Sequence, residues 1–199
     1  MANGYRKDDI RRTNTPFLLP FTPVSLPRKI VIIGPESTGK STLCSALAEW
    51  TREPWVPEFA RGFLEGLDRP YKEPDLLDIA IGQLESEDRL YSTAQDILLC
   101  DTDLHVLKTW SHERYGRCHR LILEAVATRN YDAYLLTYPD LPWTADPQRE
   151  HPDPADRLRL WRHYHDAVQA TGLPWIDIRG QHEIRLQHAM SFIGTLLKG

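Results

Sequence analysis

The residues with the clearest chemical purpose lie early in the chain. Gly34-Pro35-Glu36-Ser37-Thr38-Gly39-Lys40-Ser41 fits the pattern G-x-x-x-x-G-K-[ST] in full. Glycines let such a loop curl until successive backbone N–H groups face an anion, and the helix that follows adds the positive end of its dipole. In that setting Gly34, Glu36, Ser37, Thr38, Gly39, Lys40, Ser41 and Thr42 form a phosphate cradle for ATP. Lys40 reaches the outer phosphates, and the Ser41 hydroxyl ligates Mg²⁺. The bare pattern arises by chance in roughly one chain in a hundred of this length, and the right flanking elements lower that further.

A second acid belongs beside such a loop. Asp101 ends the apolar run Ile97-Leu98-Leu99-Cys100, where a carboxylate at a strand's carboxyl end can hold magnesium directly or through water. Asp103 is close enough to share the site, and either acid could instead cap a helix. Arg149 and Arg157 sit in or beside a proline-rich stretch. Guanidinium charge carried on a lid suits a phosphoryl group in transfer and helps exclude water.

The elements that position these residues follow from the apolar pattern. Ile30-Val31-Ile32-Ile33 reads as a strand buried on both faces, and a helix begins near Lys40 with Leu43, Leu47 and Trp50 at helical spacing. Trp55-Val56-Pro57 is a short strand, followed by a helix-like piece over 59–64. Residues 75–95 read as a long amphipathic helix on which Gln83 is a polar interruption. Further strands are expected at 97–100, at Tyr134-Leu135-Leu136 and at Trp175-Ile176-Asp177-Ile178, with helices at 156–170 and 181–197. Strands alternating with helices predict an α/β fold. It has three layers around a central parallel sheet, and ligands bind at the carboxyl ends of the strands. The proline-rich excursion over 138–157 is the expected lid of a domain spanning 28–199. Residues 1–27, with four prolines and a short apolar piece at 17–21, read as an N-terminal extension.

Composition sets outer bounds. The 199 residues are 41% hydrophobic and 26% charged, with a net charge of −4, so no electrostatic footprint points to a nucleic-acid partner. No run approaches the roughly 20 apolar residues of a membrane-spanning helix, and no signal-peptide pattern opens the chain. A cytoplasmic compartment is the expectation. Cys44, Cys100 and Cys118 form no metal or redox motif and read as small buried hydrophobes. The scattered histidines, among them His163, His165, His182 and His188, read as surface or packing residues.

The guanine-reading N-K-x-D signature is absent, and the short chain with its arginine-bearing lid leans toward a small-molecule kinase. From about 29 to 197 the sequence resembles the NadR-type ribosylnicotinamide kinase domain, a P-loop nucleoside kinase-like family. The resemblance rests on 34–42, on Glu58-Phe59-Ala60-Arg61, on Asp101-Thr102-Asp103, and on Trp143-x-x-Asp146-x-x-Arg149 followed by Asp156-Arg157. It implies transfer of the ATP γ-phosphoryl group to the 5′-hydroxyl of nicotinamide riboside, with Mg²⁺ and a small-molecule nucleoside as partners. Without an H-x-G-H motif, the adenylyl transfer of two-domain members is not expected here.

On that resemblance, Glu58 orients or deprotonates the acceptor hydroxyl and Arg61 adds charge near substrate, unless the two only form an ion pair that shapes the site. Asp103 is the rival base or a ligand for ribose hydroxyls. Trp143 could stack on a cationic pyridinium, a contact worth roughly 0.5–2 kcal/mol, or merely pin the lid; Asp146 could complement the same ring. By analogy of fold alone, Gly180 passes its backbone beside the adenine. Two alternatives stay open: another nucleoside as acceptor, or a nucleotide-dependent binding switch with no acceptor.

Overall fold

A strand whose side chains are apolar on both sides needs cover on both sides, and the chain supplies it. The computed structural model describes residues 26–198, so residues 1–25 of the expected extension, the piece at 17–21 included, lie outside the described residues. Along the described chain run β1 (Arg28–Ile33), α1 (Lys40–Thr51), β2 (Trp55–Val56), α2 (Phe59–Glu65), α3 (Glu73–Tyr91) and β3 (Ile97–Asp101). Next come α4 (Leu104–Tyr115), α5 (Arg120–Thr128), β4 (Ala133–Thr137), α6 (Pro154–Ala170), β5 (Trp175–Ile178) and α7 (His182–Leu196). The five strands pair in parallel in the order β2-β3-β1-β4-β5.

Because side chains alternate along a strand, β1 feeds two cores. Ile30 and Ile32 pack with Leu43, Cys44 and Leu47 of α1 and with Ala189 and Ile193 of α7. Val31 and Ile33 point the other way, to Leu160, Tyr164 and Val168 of α6. A third cluster, built on Ala60, Leu76, Ile79, Leu104, Leu107 and Ile122, joins α2 to α5 beside the sheet. The three-layer α/β architecture with a central parallel sheet is therefore the observed one. Among the described residues no helix is long and apolar enough to cross a membrane.

Three local expectations are corrected. Trp50 is 43% exposed and lies off the core face of α1. The long helix stops at Tyr91 rather than near 95, because Ser92 and Thr93 turn their hydroxyls back onto Arg89 O and Leu90 O. The Glu53 carboxylate then takes the N–H groups of Gln95 and Asp96. Helices α4 and α5 were not anticipated, and α4 forms one wall of the site.

Candidate active site

Parallel strands bring Gly34, Glu58, Asp101 and Thr137 to one edge of the sheet, and register places Ile32 of β1 beside Asp101 of β3. α1 covers one face while Val106 of α4 borders the other core. The chain thus parts to opposite faces here, as a ligand crevice requires. A cavity of about 340 Å³ opens at this edge. Its floor is the loop from Gly34 to Thr42 with Pro35 excepted, and its walls include Glu58, Arg61, Trp110, Glu113, Arg149 and Tyr164.

The loop is held from below. Thr38 Oγ1 donates to Pro35 O at 2.8 Å and meets Thr137 Oγ1 at 2.7 Å. Gly34 has no room for more: a Cβ there would lie 2.2 Å from Thr137 Oγ1. Lys40 Nζ donates to Pro35 O at 3.0 Å and lines the cavity. Arg185 of α7, 2% exposed, clasps the loop from behind, donating to Thr38 O at 2.9 Å, to Tyr138 O at 2.9 Å and to the Asp140 carboxylate.

Asp101 is 1% exposed, and its Oδ1 has no hydrogen-bond partner among the described residues. Burial pushes its carboxyl up to about 6, with Glu58 adding to the rise and Lys40 and the Ser41 hydroxyl opposing it. Asp101 does not itself line the cavity, but its buried oxygen without a donor lies beside Ser41, which does, and the two make a hard-oxygen pair of the kind Mg²⁺ takes. Glu58 stands at the N-cap of α2, its position fixed by α3. Gln83 Oε1 accepts from Phe59 N at 2.9 Å, and the Phe59 ring fills the space over Gly82.

The proline-rich segment that precedes α6, the expected lid, lies across the loop. Glu36 accepts from the N–H groups of Glu150 (3.0 Å) and His151 (3.1 Å). Ser37 Oγ accepts from Thr144 N at 2.9 Å and from Arg149 Nη1 at 3.4 Å. Arg61 pairs with Asp146 at 2.9 Å, and Gln148 donates to Arg61 O at 3.1 Å.

Several expected site residues take other positions. Asp103 is buried, does not line the cavity, and caps α4. It accepts from His105 N (2.9 Å) and Tyr134 Oη (3.0 Å) and sits 2.7 Å from His105 Nδ1; it is no free base. Burial works against charge on His105, but Asp103 outweighs it and raises the imidazole above its ordinary value. Trp143 also stands outside the cavity lining, its ring facing the guanidinium groups of Arg149 and Arg157 at 5.9 and 5.7 Å. Asp146 is tied to Arg61 rather than turned to a ligand. Arg157 is 4% exposed and donates to Ser37 O at 3.0 Å and Leu141 O at 3.2 Å, so it braces the proline-rich segment against the loop. Gly180 donates to Asp140 Oδ2 at 2.7 Å, away from the cavity lining.

A family model described as an AAA domain matches residues 29–185. The chain belongs to the AAA domain family. The chain is also homologous to the trifunctional NAD biosynthesis/regulator protein NadR. It is 28% identical to the Salmonella typhimurium LT2 protein over 156 residues, which is 76% of this chain and 38% of that protein. The Escherichia coli K12 protein is 28% identical over 134 residues, 65% of this chain and 33% of that one. The chain therefore spans less than two-fifths of the length of these relatives.

Solved structures agree on the fold. A NadR protein in complex with NR superposes with a TM-score of 0.65 at 17% identity, over 87% of this chain and 50% of that one. NadR with NAD and AMP-PNP gives 0.68 at 19% identity over the same shares. Thymidylate kinase from Candida albicans gives 0.61 at 12% identity, covering 85% and 92%. This AAA-domain chain thus carries the α/β fold seen in NadR and in thymidylate kinase.

Sequence reasoning missed Val106, Thr109, Trp110 and Glu113 of α4 and Tyr164 of α6, all of which line the cavity. The four α4 residues share one face at i, i+3, i+4 and i+7, but Thr109 and Glu113 break the apolar period, so no periodic signal in the sequence marks them.

Proposed function

We propose that the chain is an ATP- and Mg²⁺-dependent kinase that moves the γ-phosphoryl group to the 5′-hydroxyl of nicotinamide riboside, giving nicotinamide mononucleotide. The observation that carries the reading is one cavity shared by a phosphate loop and a carboxylate-tipped helix start, with an aromatic wall opposite. Trp110 and Tyr164 offer π faces, and Glu113 lies among them with its carboxylate paired to Arg159 at 2.7 Å. Aromatic rings lining the acceptor side suit a cationic pyridinium better than a neutral base, while Glu113, with both carboxylate oxygens on Arg159, adds no free charge. The role first expected of Trp143 passes to these residues.

Ser41 and Asp101 would hold Mg²⁺, which when bound neutralises charge on the β- and γ-phosphates. The chain's own groups do the rest. Backbone N–H groups of the loop and Lys40 bind the phosphates, and Arg149 brings lid charge to the transferring group. Glu58 accepts the proton of the attacking hydroxyl. The lid keeps water from competing with that hydroxyl. Arg61 and Asp146 act as the tie that holds the lid. A cytoplasmic site of action goes with this substrate pair.

The test is ATP turnover by the purified chain with Mg²⁺, with and without nicotinamide riboside, following ADP and nicotinamide mononucleotide together. Equal, riboside-dependent formation of both products is expected. Glu58→Gln is expected to lower kcat by about 10²-fold or more while leaving KM for ATP within a factor of two. Riboside-independent ADP formation alone would reject the acceptor, and an unchanged kcat in Glu58→Gln would reject the base.

A further inference from the structure

Tyr71, in the loop between α2 and α3, belongs to none of the groups assigned above and does not line the cavity. It nevertheless touches two of its sides. Trp110 Nε1 donates to the Tyr71 hydroxyl at 2.9 Å, and that hydroxyl donates to Glu150 Oε1 at 3.0 Å. The rings of Tyr71 and Trp110 meet edge to face, with centroids 4.9 Å apart. Glu150 in turn gives its own N–H to Glu36 of the phosphate loop at 3.0 Å. An indole can only donate, so the phenol must accept from Trp110 and has one proton left, for Glu150. Burial pushes the phenol up to about 12, which keeps that proton in place at neutral pH.

We infer that Tyr71 is a positioning residue that links the aromatic acceptor wall to the closed lid, so that filling the acceptor pocket and closing over ATP favour each other. The inference rests on the proposed kinase reading for its functional meaning, but the linkage itself is a property of the hydrogen-bond chain. A ligand seated against Trp110 holds the indole where it can donate to Tyr71. The oriented phenol then holds Glu150, whose backbone is already bound to Glu36. By thermodynamic reciprocity, a lid closed over nucleotide holds Trp110 ready for the acceptor. Such a link restrains futile ATP hydrolysis when no acceptor is bound.

Tyr71→Phe keeps the ring against Trp110 and removes both hydrogen bonds. The first measurement is amide hydrogen exchange at Glu150 and His151, whose N–H groups bond Glu36. About tenfold faster exchange is expected there in Tyr71→Phe, with amides of β1 and β4 unchanged. Glu150→Ala is expected to do the same, and the double variant to add little. Wild-type exchange rates at 150 and 151 in Tyr71→Phe, or an acceleration spread equally over the sheet, would overturn the inference. In turnover, the wild type is expected to form one ADP per nicotinamide mononucleotide and Tyr71→Phe several. If the wild type forms no mononucleotide, the proposed reaction fails while the exchange result still decides the link. If the wild type turns over and Tyr71→Phe exchanges as wild type, the link alone fails.

Discussion

At the scale of single residues, the two acids expected near the metal part company. Asp101 keeps a buried oxygen without a donor, and a group in that condition is costly until a ligand satisfies it. Asp101→Asn is expected to weaken Mg-ATP binding by about tenfold or more and to leave metal-free ATP binding within a factor of two, as read by titration calorimetry. Equal losses with and without magnesium would remove Asp101 from the metal site. Asp103, two positions on, is turned onto α4, and Thr102 between them takes a φ of 73°, in the left-handed region. Residue types revealed that two carboxylates end β3; they could not reveal that turn, which rests on Thr102 N bonding Ile32 O at 2.9 Å. The loop itself was legible, because its function needs particular residues at fixed spacing. The cavity-facing side of α4 was not, because Leu104–Tyr115 is a mixed polar stretch.

Among elements, α2 depends on α3. A Cβ on Gly82 would lie 2.2 Å from Cε1 and Cζ of Phe59, whose N–H is fixed by Gln83 and whose neighbour is Glu58. Gly82→Ala is therefore expected to cost about 1–3 kcal/mol of stability in thermal unfolding. It is also expected to lower kcat by more than it raises KM for ATP, because the start of α2 moves while the phosphate loop does not. An unchanged kcat in a folded Gly82→Ala protein would show that Phe59 adjusts without carrying Glu58 along. Strands were the easiest elements to read, since a parallel sheet demands unbroken apolar runs, and β1, β3 and β4 all have them. Helix ends were harder. α3 gives way at Ser92 and Thr93 to side-chain and loop contacts made with Glu53, about 40 residues earlier in sequence.

For the molecule as a whole, pH reports on how the α2–α5 cluster is anchored. Asp75 at the start of α3 receives Arg69 through two hydrogen bonds of 2.7 and 2.8 Å, and Lys72 N at 2.6 Å. The Arg69 bonds, then that from Lys72, pull its carboxyl down to about 2. A carboxyl depressed in the folded state contributes stability above its unfolded value near 4 and loses it as pH falls through about 2. Melting temperatures of wild type and Asp75→Asn are thus expected to differ most above pH 4 and to converge towards pH 2; a gap that stays constant would deny the pairing its role. Strand order, unlike strand existence, was not legible, because periodicity along a strand says nothing about its neighbours. The same holds for Arg185, which nothing in the residue pattern linked to the phosphate loop. Its bond to Thr38 O joins residues 147 positions apart. At a ribosome adding about 5–20 residues per second, the loop waits roughly 7–30 s for the side chain that backs it. A nascent chain therefore emerges with its most recognisable motif already made and the arginine that backs it still to be added.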